Sequence, residues 1–247
     1  MRCGKCGSRD LRERTSRPNL FVDLALPIPV KPNPPIQLAR RPLSILCIGA
    51  HADDIEIGCG GTILKLLQTY PNSRVVWAVL TARGDRRKEA LKSAAAFLRG
   101  AGSTQIVIKS FTESYLPYQG KEVKKYFDTL PQVIDPDLIF THCHHDLHQD
   151  HRIVCELTWN TYRRHQILEY EIPKYDGDLS QPNLFVSLPD KIAESKVRLL
   201  IDGFATQRTK RWFTEDTFYG LLRIRGIESP AATKYAEAFY ARKVVLE

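Results

Sequence analysis

Gly49-Ala50-His51-Ala52-Asp53-Asp54-Ile55-Glu56-Ile57-Gly58-Cys59-Gly60-Gly61-Thr62 is the stretch on which the reading of this chain turns. The apolar run before it, Ser44–Ile48, has the make-up of a buried strand, and a helix is expected to begin around Ile63–Leu67. One histidine and two adjacent carboxylates therefore stand at the C-terminal end of a strand, just before a helix. In open α/β sheets that edge is where ligands bind. Three groups of metal-binding or acid/base type, set within His51–Asp54, make poor core and poor linker. An active site is expected here.

A second stretch answers the first. Thr141-His142-Cys143-His144-His145-Asp146-Leu147-His148-Gln149-Asp150-His151-Arg152 follows another strand-like run, Leu138–Phe140. Five of the seven histidines of the chain fall in it, and His51 is a sixth. Imidazole is both the commonest metal-ligand side chain and an acid/base near neutrality. Two strand ends, one rich in carboxylate and one in imidazole, point to one site shared by neighbouring strand tips.

Outward from these motifs, strands and helices alternate. Strands are expected over 43–50, 74–81, 105–110 and 137–141. Helices are expected over 60–69, 85–98, 123–130 and 149–165. The alternation gives an α/β class, a Rossmann-like and mostly parallel sheet with helices on both faces. Beyond Ile167 the pattern loosens into an irregular C-terminal third. Strands are expected over 168–172 and 184–187, a helix over 189–204, and one short helix each in 214–225 and 231–242.

Residues 1–42 form a basic arm that becomes proline-rich from Pro27 to Pro42, a composition that favours extended backbone. The arm is expected to lie on the surface or reach a neighbouring subunit of a homo-oligomer, with the catalytic domain spanning 43–247. Cys3 and Cys6 make a CxxC without a second pair at zinc-ribbon distance, and the six cysteines form no disulfide framework. With 43% apolar residues, no run long enough to span a bilayer and no signal-peptide core, a cytoplasmic protein is expected. The net charge of +8 is spread along the chain rather than gathered on one helix face, which argues against nucleic acid as a partner.

His51, Asp54 and a histidine of the second motif would give a divalent ion two imidazoles and one carboxylate. That set suits catalytic zinc, which keeps a position open. Asp53 is left to take a proton from water. His148 and His151, three apart at a helix start, can face the same side. One can bind metal while the other stabilises developing charge, and Asp150 can accept a hydrogen bond from an imidazole.

The turn His51-Ala52-Asp53-Asp54-Ile55-Glu56 with Gly58-Cys59-Gly60-Gly61-Thr62 resembles the first signature of the LmbE-like (PIG-L) zinc deacetylases. His148-Gln149-Asp150-His151 resembles their His-x-Asp-His motif, and Tyr235-Ala236-Glu237-Ala238-Phe239 has the family's look. The resemblance runs from Ser44 to the C-terminus. It implies Zn2+, or another divalent ion, on His51, Asp54 and His151. It also implies Asp53 as general base, and His148 as acid or oxyanion stabiliser with Asp150 setting its charge. An arginine after the second strand contacts substrate in such enzymes; the register points to Arg87, with Arg86 its close rival. Ala52 in place of proline and Ala90 in place of glutamate are departures. The implied activity is removal of an N-acetyl group from an N-acetylated amino sugar or glycoconjugate. Two alternatives use the same residues: a non-haem iron enzyme, and a non-catalytic nucleotide- or sugar-binding relative.

Overall fold

The structure is a computed structural model that describes residues 38, 41–230 and 233–244. The expected arm, with Cys3 and Cys6, lies outside the described residues except for Leu38, Arg41 and Pro42.

Seven strands form one sheet: β1 (Ser44–Gly49), β2 (Arg74–Val79), β3 (Ser103–Ile108), β4 (Leu138–His142), β5 (Ile167–Tyr170), β6 (Leu184–Leu188) and β7 (Tyr235–Tyr240), in the order β3-β2-β1-β4-β5-β7-β6. The first five are parallel, with β7 antiparallel to β5 and β6 antiparallel to β7. The helices are α1 (Asp54–Thr69), α2 (Gly84–Phe97), α3 (Gly120–Val133), α4 (Gln149–Thr161), α5 (Asp190–Gly203) and α6 (Glu215–Glu228).

Helix cover on both faces explains why the central strands are apolar without alternation. Ile45 and Cys47 pack with Trp77, Phe140 and Phe97 of α2 on one side. Leu46 and Ile48 pack with Val76, Ile139, Phe127 of α3 and Val154 of α4 on the other. β1 continues towards β2 and β4 towards β5, so the chain departs in opposite directions from two neighbouring strands. That is the switch point at which α/β sheets open a crevice. Both motifs lie there.

Two elements differ from expectation. The first helix starts at Asp54, directly behind the carboxylate pair, so the glycines of the motif are helical. Their role is close packing. A Cβ on Gly58 would lie 2.2 Å from the Tyr170 ring, on Gly60 2.6 Å from Phe97, and on Gly61 2.6 Å from Leu188. The expected helix over 231–242 is instead β7. Its Ala- and Glu-rich composition favours a helix, but two strand partners and the burial of Ala236 to Tyr240 prevail. The C-terminal third is thus regular, and it completes the sheet.

Candidate active site

Side chains hold the main-chain amides of the turn between β1 and α1. The His51 amide donates to Asp54 Oδ2 at 2.6 Å, and the Ala50 amide donates to His142 Nε2 at 3.0 Å. Asp54 opens α1 while Asp53 stands just before it, so the two carboxylates diverge. His51, Asp53 and Asp54 are all buried.

Asp54 Oδ2, His51 Nδ1 and His151 Nε2 form a triangle with sides of 3.1, 3.3 and 3.5 Å. Donors at zinc bond lengths and tetrahedral angles lie about 3.3 Å apart, so the triangle fits a zinc-sized ion. The other ring nitrogens are engaged as ligand histidines require. His151 Nδ1 faces Asp146 Oδ2 at 2.8 Å and His51 Nε2 faces Asp150 Oδ2 at 3.3 Å. If those nitrogens carry the protons, the lone pairs of Nε2 and Nδ1 point to the centre. The overlapping groups His51–His148–His151 and Asp54–His142–His151 also come close enough for an ion. His148 Nδ1 and His142 Nε2, however, each already accept a main-chain amide.

The electrostatics favour a cation. Burial alone would lower the pKa of His51, but Asp54 and Asp150 overcome it and lift the ring to about 10. Burial likewise works to raise Asp54, yet His151, His142 and His51 hold it well below the usual carboxylate range. For His151, burial and then His142 bring the pKa down to about 3, leaving a neutral ring.

Asp53 is set apart from this group. Burial raises its pKa and outweighs Arg86, whose Nη2 donates to Asp53 Oδ1 at 2.8 Å. The two candidate arginines differ in their partners. Arg87, the expected substrate-contacting residue, turns away and donates to the Ile108 carbonyl. Successive helix positions point about 100° apart, so only one of the pair can face β1. It is Arg86, stacked 5.5 Å from the Phe204 ring.

The pairing of Asp150 with His148 needs correcting. The Asp150 carboxylate accepts the amides of Ser114 at 2.6 Å and Leu116 at 3.1 Å and faces His51. His148 receives only the Asp150 main-chain amide, at Nδ1, 3.2 Å away. Burial and then His51 lower its pKa despite Asp150. With Nδ1 accepting that amide, the proton of a neutral ring sits on Nε2.

Sequence reasoning passes over Asp146, which stands between His151 and Lys174 at 2.8 and 3.0 Å, and His142, 3.1 Å from Asp54. An acid five residues before a ligand histidine is the available signal for Asp146. His144 lies elsewhere, on Glu169, whose carboxylate also takes Trp159 and Arg242.

Comparisons with known proteins bear on the family and the fold. The profile of the family described as PIG-L: GlcNAc-PI de-N-acetylase matches residues 46–162. Over 149 residues the chain is 30% identical to the uncharacterized deacetylase YaiS of Escherichia coli (strain K12), covering 55% of this chain and 77% of that one. Among solved structures, N,N'-diacetylchitobiose deacetylase from Pyrococcus horikoshii aligns with a TM-score of 0.62 at 22% identity, over 82% of this chain and 83% of that one. GalB, the 4-carboxy-2-hydroxymuconate hydratase of Pseudomonas putida KT2440, aligns with a TM-score of 0.65 at 16% identity, over 83% and 98% of the two chains. At such identities these two likenesses speak for the fold alone.

Proposed function

The chain belongs to the PIG-L family, and from that premise we propose that it is a zinc-dependent hydrolase acting on an N-acetylated amino sugar or sugar conjugate, releasing acetate and the free amine. The observation that carries this reading is the donor triangle of His51, Asp54 and His151 with the separate Asp53–Arg86 pair beside it. Two imidazoles and a carboxylate suit zinc over magnesium or calcium. When bound, such an ion polarises an amide carbonyl and makes water acidic near neutrality.

The chain's own residues supply the rest. Asp53, its basicity increased by burial, takes the proton of the attacking water and passes it to the departing amine nitrogen. Arg86 fixes Asp53 in place and keeps its charge tolerable in a buried setting. His148, neutral with its proton on Nε2, donates to the oxygen on which negative charge develops. Asp146 and Asp150 orient His151 and His51.

GalB shows that this fold also carries hydration of an unsaturated acid, and a non-haem iron enzyme could use the same donors. The iron reading leaves the buried Asp53–Arg86 pair without a task, and hydration would use it too, so there the deacetylase relative YaiS favours deacetylation. The four described cysteines are all free and buried. Among the described residues no helix is long and apolar enough to cross a membrane.

The test is to incubate zinc-loaded protein with a panel of N-acetylated sugars and conjugates and measure amine and acetate together. Equal release of both is expected from at least one class. A metal-loaded protein that released neither from any of them would overturn the reading.

A further inference from the structure

The segment after β3 departs from ordinary loop construction. Ser114 has φ +65°, a left-handed conformation that a serine rarely adopts. It is held there from both sides by the second motif. The buried carboxylate of Asp150 takes the amides of Ser114 and Leu116, and Gln149 Nε2 donates to the Ser114 carbonyl at 3.1 Å. The amides of Tyr118 and Gln119 then close onto the Tyr115 carbonyl at 3.0 and 3.2 Å. A strained residue persists only where its surroundings over-determine it, and such residues cluster at ligand clamps. Here the same carboxylate that faces the ligand histidine His51 fixes the segment.

What the segment presents is unusual too. Tyr115 and Tyr118 are 56% and 83% exposed, yet their rings lie 5.9 Å apart as a pair. Neither is needed for the core, whose contact at this point is made by the fully buried Leu116 between them. Glu113, on the other side of Ser114, is exposed. A carboxylate on the segment that Asp150 ties to the site, followed by two outward aromatic rings, offers an acceptor for hydroxyl donors and an apolar surface for the C–H face of a pyranose.

We propose that residues 113–118 form a carbohydrate subsite. Glu113 accepts hydrogen bonds from hydroxyls of the N-acylated ring, and Tyr115 and Tyr118 stack against a second sugar ring attached to it. This rests on the deacetylase reading, because it takes the catalytic centre to hold an N-acylated sugar. Asp150 is then a positioning residue that joins the metal site to the sugar-binding segment. The substrate class becomes a glycoside of at least two rings rather than a free amino sugar.

The test compares kcat/KM for N,N'-diacetylchitobiose and N-acetylglucosamine in the zinc-loaded protein and in Tyr115→Ala, Tyr118→Ala and the matching Phe variants. The parent is expected to prefer the two-ring substrate. Each Ala variant should reduce that preference by about tenfold, through KM, and each Phe variant should keep it. A parent without preference, or Ala variants that keep it, would overturn the subsite. If the parent deacetylates neither sugar, the catalytic reading fails for these substrates. Calorimetric binding of N,N'-diacetylchitobiose then decides the subsite independently: weaker binding in both Ala variants supports it, and equal or absent binding overturns it.

Discussion

The two segments that meet at the site are fixed in different ways. The turn from Ala50 to Asp54 closes on itself through the His51 amide and Asp54, is tied to Thr81 and His142 through Ala50, and is backed by the packing of α1, where three glycines touch Tyr170, Phe97 and Leu188. The segment from His142 to His151 is held by long-range partners: His142 by the Ala50 amide, Asp146 by Lys174, and Asp150 by the amides of Ser114 and Leu116. A site made this way has one rigid wall and one wall that communicates with the rest of the molecule. Substitutions in the first should act on packing and chemistry. Those in the second should also act on metal affinity and substrate choice.

The largest effects should come where the walls share an ion. His51→Ala and His151→Ala should each lose metal by elemental analysis, whereas the parent carries about one ion per chain. Activity should vanish with the metal, as it should after chelation, and return to the parent alone when zinc is restored. Full occupancy in both variants would remove these residues from the ligand set.

Asp53→Asn tests the rigid wall for chemistry without disturbing its shape. Asparagine is nearly isosteric but cannot take a proton, so metal content should persist while kcat falls by roughly 10²–10⁴. A rate close to the parent's would mean that another group is the base.

In the second wall, Asp146→Asn should weaken metal binding by about 10–100-fold, the usual cost of removing the carboxylate behind a ligand histidine. Competition with a chromophoric chelator measures it. An unchanged affinity would show that the His151 ring is oriented by packing alone, which its stacking on His142 at 3.8 Å makes a real contest. Arg86→Ala should lower kcat by roughly tenfold with metal retained, since it removes the guanidinium paired with Asp53, while Arg87→Ala should stay within about threefold. The reverse order would restore the arginine that the sequence register favours.

How far the sequence can be read follows from the same contrast. His51, Asp53 and Asp54 are close in the chain, and the divergence of the two carboxylates follows from their adjacency, so spacing alone singles them out. The partner of Asp150 is not legible in this way: the Ser114 and Leu116 amides are more than 30 residues away, and the nearby His148 ring is the obvious but wrong choice. Arg86 and Arg87 differ by one helical step, and that phase depends on where α2 begins. β7 reads as a helix because its alanines and glutamate favour one locally. Only pairing with β5 and β6, and the acceptance by Glu237 of the Gly61 and Thr62 amides, make it a strand.

The smallest effects separate packing from propensity using a single substitution. Gly58 lies in α1, where a helical glycine is unfavourable on propensity alone, and replacing it with alanine would ordinarily stabilise the helix by roughly 0.5–1 kcal/mol. The added Cβ, however, would stand 2.2 Å from Tyr170 Cδ2 and 2.4 Å from Cγ. The ring cannot easily yield, because its hydroxyl donates to the Ile48 carbonyl at 2.7 Å and its centroid lies 4.8 Å from that of the His142 ring. Overpacking of this kind costs about 1–3 kcal/mol, so Gly58→Ala should be destabilising on balance. Gly220, exposed in the middle of α6, has nothing within 4 Å of where a Cβ would stand, so Gly220→Ala should gain roughly 0.5–1 kcal/mol. Urea unfolding of the two variants against the parent checks the signs. Opposite signs would establish that the glycines of the first motif serve close approach. A stabilised Gly58→Ala would show that β5 can move away from α1, and with it that the first wall is less rigid than its contacts indicate.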